Sequence, residues 1–268
     1  MKRESLRAAR VLAAPALAIL LGALGGCASV AKPNPRDPWE GFNRRSYEFN
    51  EGVDRIVLKP AATFYREKVP PLVRTGVSNF FGNLADGWSA VNSLLQFRLQ
   101  DFSDNYARFQ LNTSFGLLGI FDLASDLNID RHREDFGQTL GRWGMPAGPY
   151  VVLPLLGPST LRDAAVLPVE YRFDPVGYIK ADSVRTFTQT LRVLDTRANL
   201  IRVSNVLEEV SLDKYSFTRD AYLQRRRADV MDYNGGEVPP PLPDESLEPS
   251  AGEAPAAPAA QPQPAPAR

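Results

Sequence analysis

Cysteine and histidine each occur once in the 268 residues, at Cys27 and His132. A lone cysteine rules out an internal disulfide or a cysteine-rich metal site, so packing must hold the fold. His132 stands among Arg131, Arg133, Glu134 and Asp135, a charged setting that reads as a solvated surface position rather than a catalytic one. Also missing are a Gly-x-Ser-x-Gly elbow, a His-Glu-x-x-His helix, a phosphate-cradling Gly-x-x-x-x-Gly-Lys loop and a dinucleotide fingerprint. These absences remove most support for an enzyme, and neither a cofactor nor a metal is called for. A hydrolase resting on carboxylates alone, such as Glu134 and Asp135, stays open, although adjacent carboxylates more often form part of a charged face. Basic and acidic side chains balance at 31 each, which leaves no electrostatic footprint for nucleic acid. Beyond residue 26 there is no run of eighteen apolar residues, and with it no ordinary membrane-spanning helix.

What the chain does have begins at its N-terminus. Lys2, Arg3, Arg7 and Arg10 precede an apolar stretch from Val11 to Leu24, and Leu24-Gly25-Gly26-Cys27 closes it. Positive charge, apolar run and small residues in that order make a signal peptide. A cysteine at the cut makes it the cleavage and lipidation box of a bacterial lipoprotein. Residues 1–26 are therefore expected to be removed and the thiol of Cys27 to carry a diacylglycerol, with 27–36 as a lipidated linker. Buried methylenes contribute about 0.8 kcal/mol each, and more than one chain holds a protein stably on a bilayer. Ala28 and Ser29 follow without an aspartate to retain the protein in the inner membrane, which favours the inner face of the outer membrane. The plainer alternative is a secretory signal with an incidental cysteine. Without the five charged residues of the signal the net charge is about −3.

The far end differs in composition. From Glu237 the chain carries Pro239, Pro240, Pro241, Pro243, Pro249, Pro255, Pro258, Pro262, Pro264 and Pro266 and no aromatic residue. Such a segment buries too little apolar surface to offset the entropy of ordering. Residues 237–268 read as a disordered tail, with a polyproline spacer or docking strand as the alternative.

Between the ends the apolar period is helical. Val73, Val77, Phe80, Leu84, Trp88, Val91 and Leu95 share one face of a helix, or of two in line, with a kink or break expected at Gly82 and Gly87. Phe102, Tyr106 and Phe109 make a second stripe. Val184, Phe187, Leu191, Leu194, Ala198 and Ile201 make the longest, starting after Asp182-Ser183, which can cap a helix. A shorter element from Phe217 to Arg227 ends in three arginines that suit a helix C-terminus or anionic lipid head groups. The fold class is all-α. Tyr150 to Leu156, flanked and interrupted by prolines, is either a short strand or an extended loop lying against lipid.

Several motifs combine Asn, Gly, Pro and aromatic residues: Asp37-Pro38-Trp39-Glu40-Gly41-Phe42-Asn43-Arg44, Tyr47-Glu48-Phe49-Asn50, Asn79-Phe80-Phe81-Gly82-Asn83-Leu84 and Val91-Asn92-Ser93-Leu94-Leu95-Gln96. Arg108-Phe109-Gln110-Leu111-Asn112-Thr113, Asp135-Phe136-Gly137-Gln138-Thr139-Leu140-Gly141, Gly148-Pro149-Tyr150 and Leu153-Pro154-Leu155-Leu156-Gly157-Pro158-Ser159-Thr160 continue the series to Arg162-Asp163. In this order, behind a lipidation box, they resemble the MlaA (VacJ) family of outer-membrane lipoproteins over residues 37–236. The resemblance implies a ring-shaped helical domain lying in the inner part of the outer membrane beside a trimeric porin. It implies that phospholipid strayed into the outer leaflet passes through an amphipathic channel to a soluble periplasmic carrier of the MlaC type. The alternative is a non-catalytic envelope scaffold tethering periplasmic or porin partners.

Candidate channel or lipid contacts are Phe49, Asn50, Asn79, Asn83, Asn92 and Asn112, since a head group needs polar partners inside apolar walls. Each asparagine has a plainer reading as a cap or a bond to neighbouring backbone. Trp39, Phe42, Tyr47, Phe49, Tyr65 and Trp88 suit a membrane interface but equally a core. Gly141, Gly144, Gly148, Pro149 and Tyr150 fall in a segment where free and restricted backbone alternate, either a rigid connection or a hinge. The family resemblance, in which a hairpin near this place borders the channel, implies a gate.

Overall fold

The structure, a computed structural model, describes residues 34–211 and 213–231, with the backbone alone for 206–210. The signal segment, Cys27, the linker up to residue 33 and the Pro-rich tail lie outside the described residues.

Helix α1 (Glu40–Val53), a π-helical turn (Asp54–Leu58) and α2 (Lys59–Lys68) run on as one rod. The π turn ends two residues before Pro60, which has no N–H to give and whose ring crowds the carbonyl four residues back. Widening the ladder there keeps the rod continuous. Val69, before Pro70, is extended and ends it. Helix α3 (Pro71–Leu95) is a single 25-residue element and α4 (Leu99–Ser114) folds back on it. The break expected at Gly82 and Gly87 does not occur. A Cβ on Gly87 would come within 3.1 Å of the Phe109 ring, so glycine there lets α4 approach rather than ending α3.

A short α5 (Leu123–Asp126) leads to α6 (Phe136–Arg142), whose start is a capping box in which Asp135 and Gln138 exchange side-chain and backbone bonds. The ambiguous segment is a strand. β1 (Tyr150–Leu153) pairs antiparallel with β2 (Gly157–Thr160), Tyr150 opposite Thr160, around a turn with positive φ at Leu155 and Gly157. Thr160 then caps α7 (Leu161–Phe173) by accepting the Asp163 N–H. A 3-10 turn (Pro175–Tyr178), α8 (Asp182–Val210) and α9 (Lys214–Met231) complete an otherwise helical fold.

The free edge of β1 is closed by α1 rather than by a third strand. Asn43 donates to the Tyr150 carbonyl (3.0 Å) and accepts from the Val152 N–H (2.8 Å). Seven residues on, Asn50 donates to the Leu153 carbonyl (2.9 Å) and accepts from the Leu155 N–H (2.7 Å). A side-chain amide carries a donor and an acceptor, and so imitates a strand's backbone.

The apolar stripes of α3 and α4 are not their buried faces. Helix α3 buries Asn83, Asp86, Ser89, Asn92 and Ser93 while Val73 and Val91 are exposed. Helix α4 buries Asp101, Asn105, Arg108 and Asn112 and exposes Tyr106. The two helices meet polar face to polar face, because their side chains satisfy one another there. Among the described residues, buried apolar side chains form two clusters: Ala62, Tyr65, Ala198 and Ile201 between α2 and α8, and Tyr150, Val152 and Tyr215 between the hairpin and α9. Accordingly Ala198 and Ile201 of the α8 stripe are buried, whereas Val184 and Phe187 are exposed. The arginine triplet also departs from expectation. Helix α9 runs on to Met231, and Arg226 lies inside it, paired with Asp135 and Asp163. Among the described residues no helix is long and apolar enough to cross a membrane.

Candidate functional site

Helix α3 contributes to the walls of two cavities. The first, of about 820 Å³, lies between α3, the 131–135 segment, α7 and α8, and its charged lining includes Asp86, Arg131, Arg133, Glu170, Arg192 and Asp195. The second, of about 1070 Å³, is lined by apolar groups such as Leu72, Val73, Phe80, Ile120, Val176 and Leu191. Asn79, Phe81, Leu84 and Pro175 line both. A chamber that carries charged groups among apolar ones, the polar chamber below, therefore stands against a more uniformly apolar one across a shared wall, an arrangement that matches the two ends of an amphiphile.

The polar chamber is backed by a buried ionic network. Arg108, 2% exposed, reaches both carboxylate oxygens of Asp122 at 2.8 Å, the Ser125 hydroxyl at 3.1 Å and Asp86 at 3.4 Å. Arg131 pairs with the other oxygen of Asp86 at 2.8 Å. Burial pushes the Asp86 carboxyl up despite Arg131 and Arg108. Burial acts the same way on Asp122, but hydrogen bonds from Ser125 and Asn112 and the two guanidiniums outweigh it and hold that carboxyl down. Breaking one partner would strand a buried charge, which is why such networks fix the register of packed helices. The surface reading of the 131–135 segment is corrected here: Glu134 is buried, with Gln96 at 2.9 Å, and Arg98 bonded to it as well. His132 is half-buried, its Nε2 3.2 Å from Asp104.

Of the candidate asparagines, only Asn79 lines the chambers, where its amide donates to the Ile120 carbonyl at 3.1 Å. Asn92 and Asn112 are fully buried and have both ends bonded inside the protein. Asn92 donates to the Trp88 carbonyl and accepts from the Thr139 hydroxyl, and Asn112 donates to Asp122 and accepts from the Ala124 N–H. Asn83 donates to Thr113 at 2.8 Å across the α3–α4 contact. These three brace helices, and Asn50 braces the hairpin. Tyr65 is also internal: its hydroxyl bonds Asp195 at 3.1 Å, and burial together with that carboxylate pushes it up to about 12. Trp88 stacks on Phe173 inside the polar chamber, while Trp39, Phe42 and Phe49 are exposed.

Residues 35–229 match the family model described as MlaA lipoprotein. The chain belongs to the MlaA lipoprotein family. It is 38% identical over 231 residues to the intermembrane phospholipid transport system lipoprotein MlaA of Escherichia coli, covering 84% of this chain and 90% of that protein. The lipoprotein of the same name from Haemophilus influenzae is 34% identical over 238 residues, covering 84% and 93%. Among solved structures, one concerned with the structural basis for maintenance of bacterial outer membrane lipid asymmetry superposes with a TM-score of 0.64 at 34% identity, over 72% of this chain and 98% of that one.

In this MlaA-family chain the 141–150 segment divides into three kinds of position. Gly141 lies in the last turn of α6, where a Cβ would meet Arg162 Nη1 at 2.5 Å and the Val230 methyls at 3.0 Å. Its role is close packing of α6 on α7 and α9, which corrects the hinge reading for this residue. Gly144 and Gly148 have φ of +94° and +70°, values that glycine reaches without strain. Pro149 and Tyr150 are anchored, the Pro149 carbonyl by the Leu161 N–H and Tyr150 by complete burial in β1. What sequence reasoning missed is the charged lining of the chamber, Glu170, Arg192 and Asp195 above all. Its only signal was the recurrence of charged residues on the opposite side of each apolar stripe, which a solvated face would produce equally well.

Proposed function

We propose that the chain is a non-catalytic outer-membrane lipoprotein that removes mislocalised phospholipid from the outer leaflet and passes it to a soluble periplasmic carrier of the MlaC type, so maintaining lipid asymmetry. The observation that carries this reading is the chamber bearing charged groups set against an apolar one, which accommodates a head group and acyl tails side by side. Membership of a family whose curated members are named for intermembrane phospholipid transport supports it. A surface that leaves Ile56, Leu72, Phe97 and Phe115 each more than 70% exposed is costly in water and suits a lipid environment. We assign the anchor to an acylated Cys27 on the periplasmic side and a trimeric porin as neighbour. Asn79 and exposed Phe49 are the lipid contacts, and residues 143–149, turning at Gly144 and Gly148, are the gate.

Two measurements test this. Cells lacking the protein should accumulate outer-leaflet phospholipid, and wild-type protein should reverse it. An unchanged outer leaflet would favour a tethering scaffold instead. Cys27→Ala should leave the N-terminus unprocessed, release the chain from the outer-membrane fraction and fail to restore asymmetry. A correctly localised, active, unlipidated variant would remove the anchor from the mechanism.

A further inference from the structure

The charges of the polar chamber do not cancel. Asp86 is matched by Arg131, Asp135 by Arg226 at 2.5 and 2.7 Å, and Asp174 by Arg192 at 2.8 and 3.0 Å. Three lining groups are left over. Arg133 is exposed and has no ion-pair partner among the described residues. Asp195, 4% exposed, is held only by neutral donors: the Ser78 hydroxyl at 2.8 Å, the Tyr65 hydroxyl at 3.1 Å and the Asn199 amide at 3.3 Å. Glu170 on α7 has no cation within ion-pair distance among the described residues, because Arg226, the guanidinium closest in influence, is committed to Asp135 and Asp163. The remainder is one free positive and two free negative groups around a single chamber.

We propose that this chamber selects a zwitterionic phospholipid bearing a primary ammonium, its phosphate directed to Arg133 and its ammonium to Glu170 and Asp195. The inference rests on the reading of the chamber as a phospholipid site and adds the head-group class. A guanidinium is the favoured side chain for a phosphate oxygen pair. A primary ammonium brings three N–H donors to two carboxylates, whereas an anionic head group brings either more negative charge or none to cancel theirs. A quaternary ammonium has no N–H to donate and is instead held by open aromatic faces. No cage of open faces is present among the lining rings, since Trp88 and Phe173 stack on each other at 5.3 Å, Arg192 covers Phe81 at 5.1 Å and Tyr171 is the one exposed ring without such a contact among the described residues. Burial, with Asp135 adding to it, pushes the Glu170 carboxyl up to about 7. The group is thus ready to ionise fully when a cation arrives.

The test uses the full lipidated chain, purified in detergent and equilibrated with mixed micelles of phosphatidylethanolamine, phosphatidylglycerol and phosphatidylcholine in equal amounts. Lipid retained on the repurified protein is quantified by mass spectrometry. The amine lipid should be enriched roughly three- to tenfold over either competitor. Glu170→Gln, and Glu170→Gln combined with Asp195→Asn, should bring the ratio towards one with total lipid little changed. Arg133→Gln should lower the retention of all three lipids. Equal retention by the wild-type protein, or an enrichment untouched by Glu170→Gln, would overturn the head-group assignment while leaving the chamber a phospholipid site. Retention of no phospholipid at all would overturn the assignment together with the reading beneath it.

Discussion

Glu170 is a carboxyl whose neighbours disfavour its charge. The first cause is burial and the second is Asp135; together they lift it from 4.5 to about 7. Below 4.5 the group is protonated in folded and unfolded chains alike and has no effect on stability. Between 4.5 and about 7 the unfolded chain releases the proton and the folded chain keeps it, so stability falls through this window as pH rises. Glu170→Gln should therefore raise the Tm at pH 8, at roughly 2–4 °C for each kcal/mol recovered, and make no difference at pH 4. Circular dichroism melts of both proteins across that range read the gap. A gap that stayed constant with pH would mean that the residue acts through packing and not through charge. Nothing in the sequence around Glu170 distinguishes it from a solvated helix carboxylate, since its setting is supplied by residues from other elements.

At the scale of elements, the hairpin shows how much of the site depends on side chains standing in for backbone. Asn43 and Asn50 each pair with one donor and one acceptor of β1 or its turn. Removing either amide leaves both groups of the backbone without that partner, at about 1–3 kcal/mol where they are buried. Asn43→Ala should speed amide hydrogen exchange most at Val152, and Asn50→Ala most at Leu155. Uniform acceleration across the fold would instead point to global destabilisation without a local clamp. The helices teach a related lesson. Periodicity located α3, α4 and α8 because the 3.6-residue repeat is a local property. It does not show which face of α3 and α4 turns inward, because Asp86, Arg108 and Asp122 are stable in the interior only as a set brought together from separate segments. Local sequence does not decide between strand and loop for the hairpin, since Asn43 is more than a hundred residues from the edge it closes.

For the whole molecule, the described fold from residue 34 to 231 contains both chambers and the network behind them. Deleting residues 237–268 should therefore leave protein level and lipid asymmetry unchanged when the truncated chain complements a null strain. Loss of function at normal abundance would assign the tail a docking role.

What the sequence determined by itself is what depends on order and local chemistry along the chain: the apolar run closed by Leu24-Gly25-Gly26-Cys27, the helical class, the family through its ordered motifs, and the absence of the familiar catalytic signatures. What only the tertiary structure decided is which side of each helix faces in, that Asn50, Asn83, Asn92 and Asn112 brace rather than line, that Gly141 packs rather than bends, and that Arg133, Glu170 and Asp195 share one chamber. A residue's type and period are fixed by covalent neighbours. Whether a charge is buried, paired or left over depends on partners contributed by distant segments, and that is settled only when the helices close around one another.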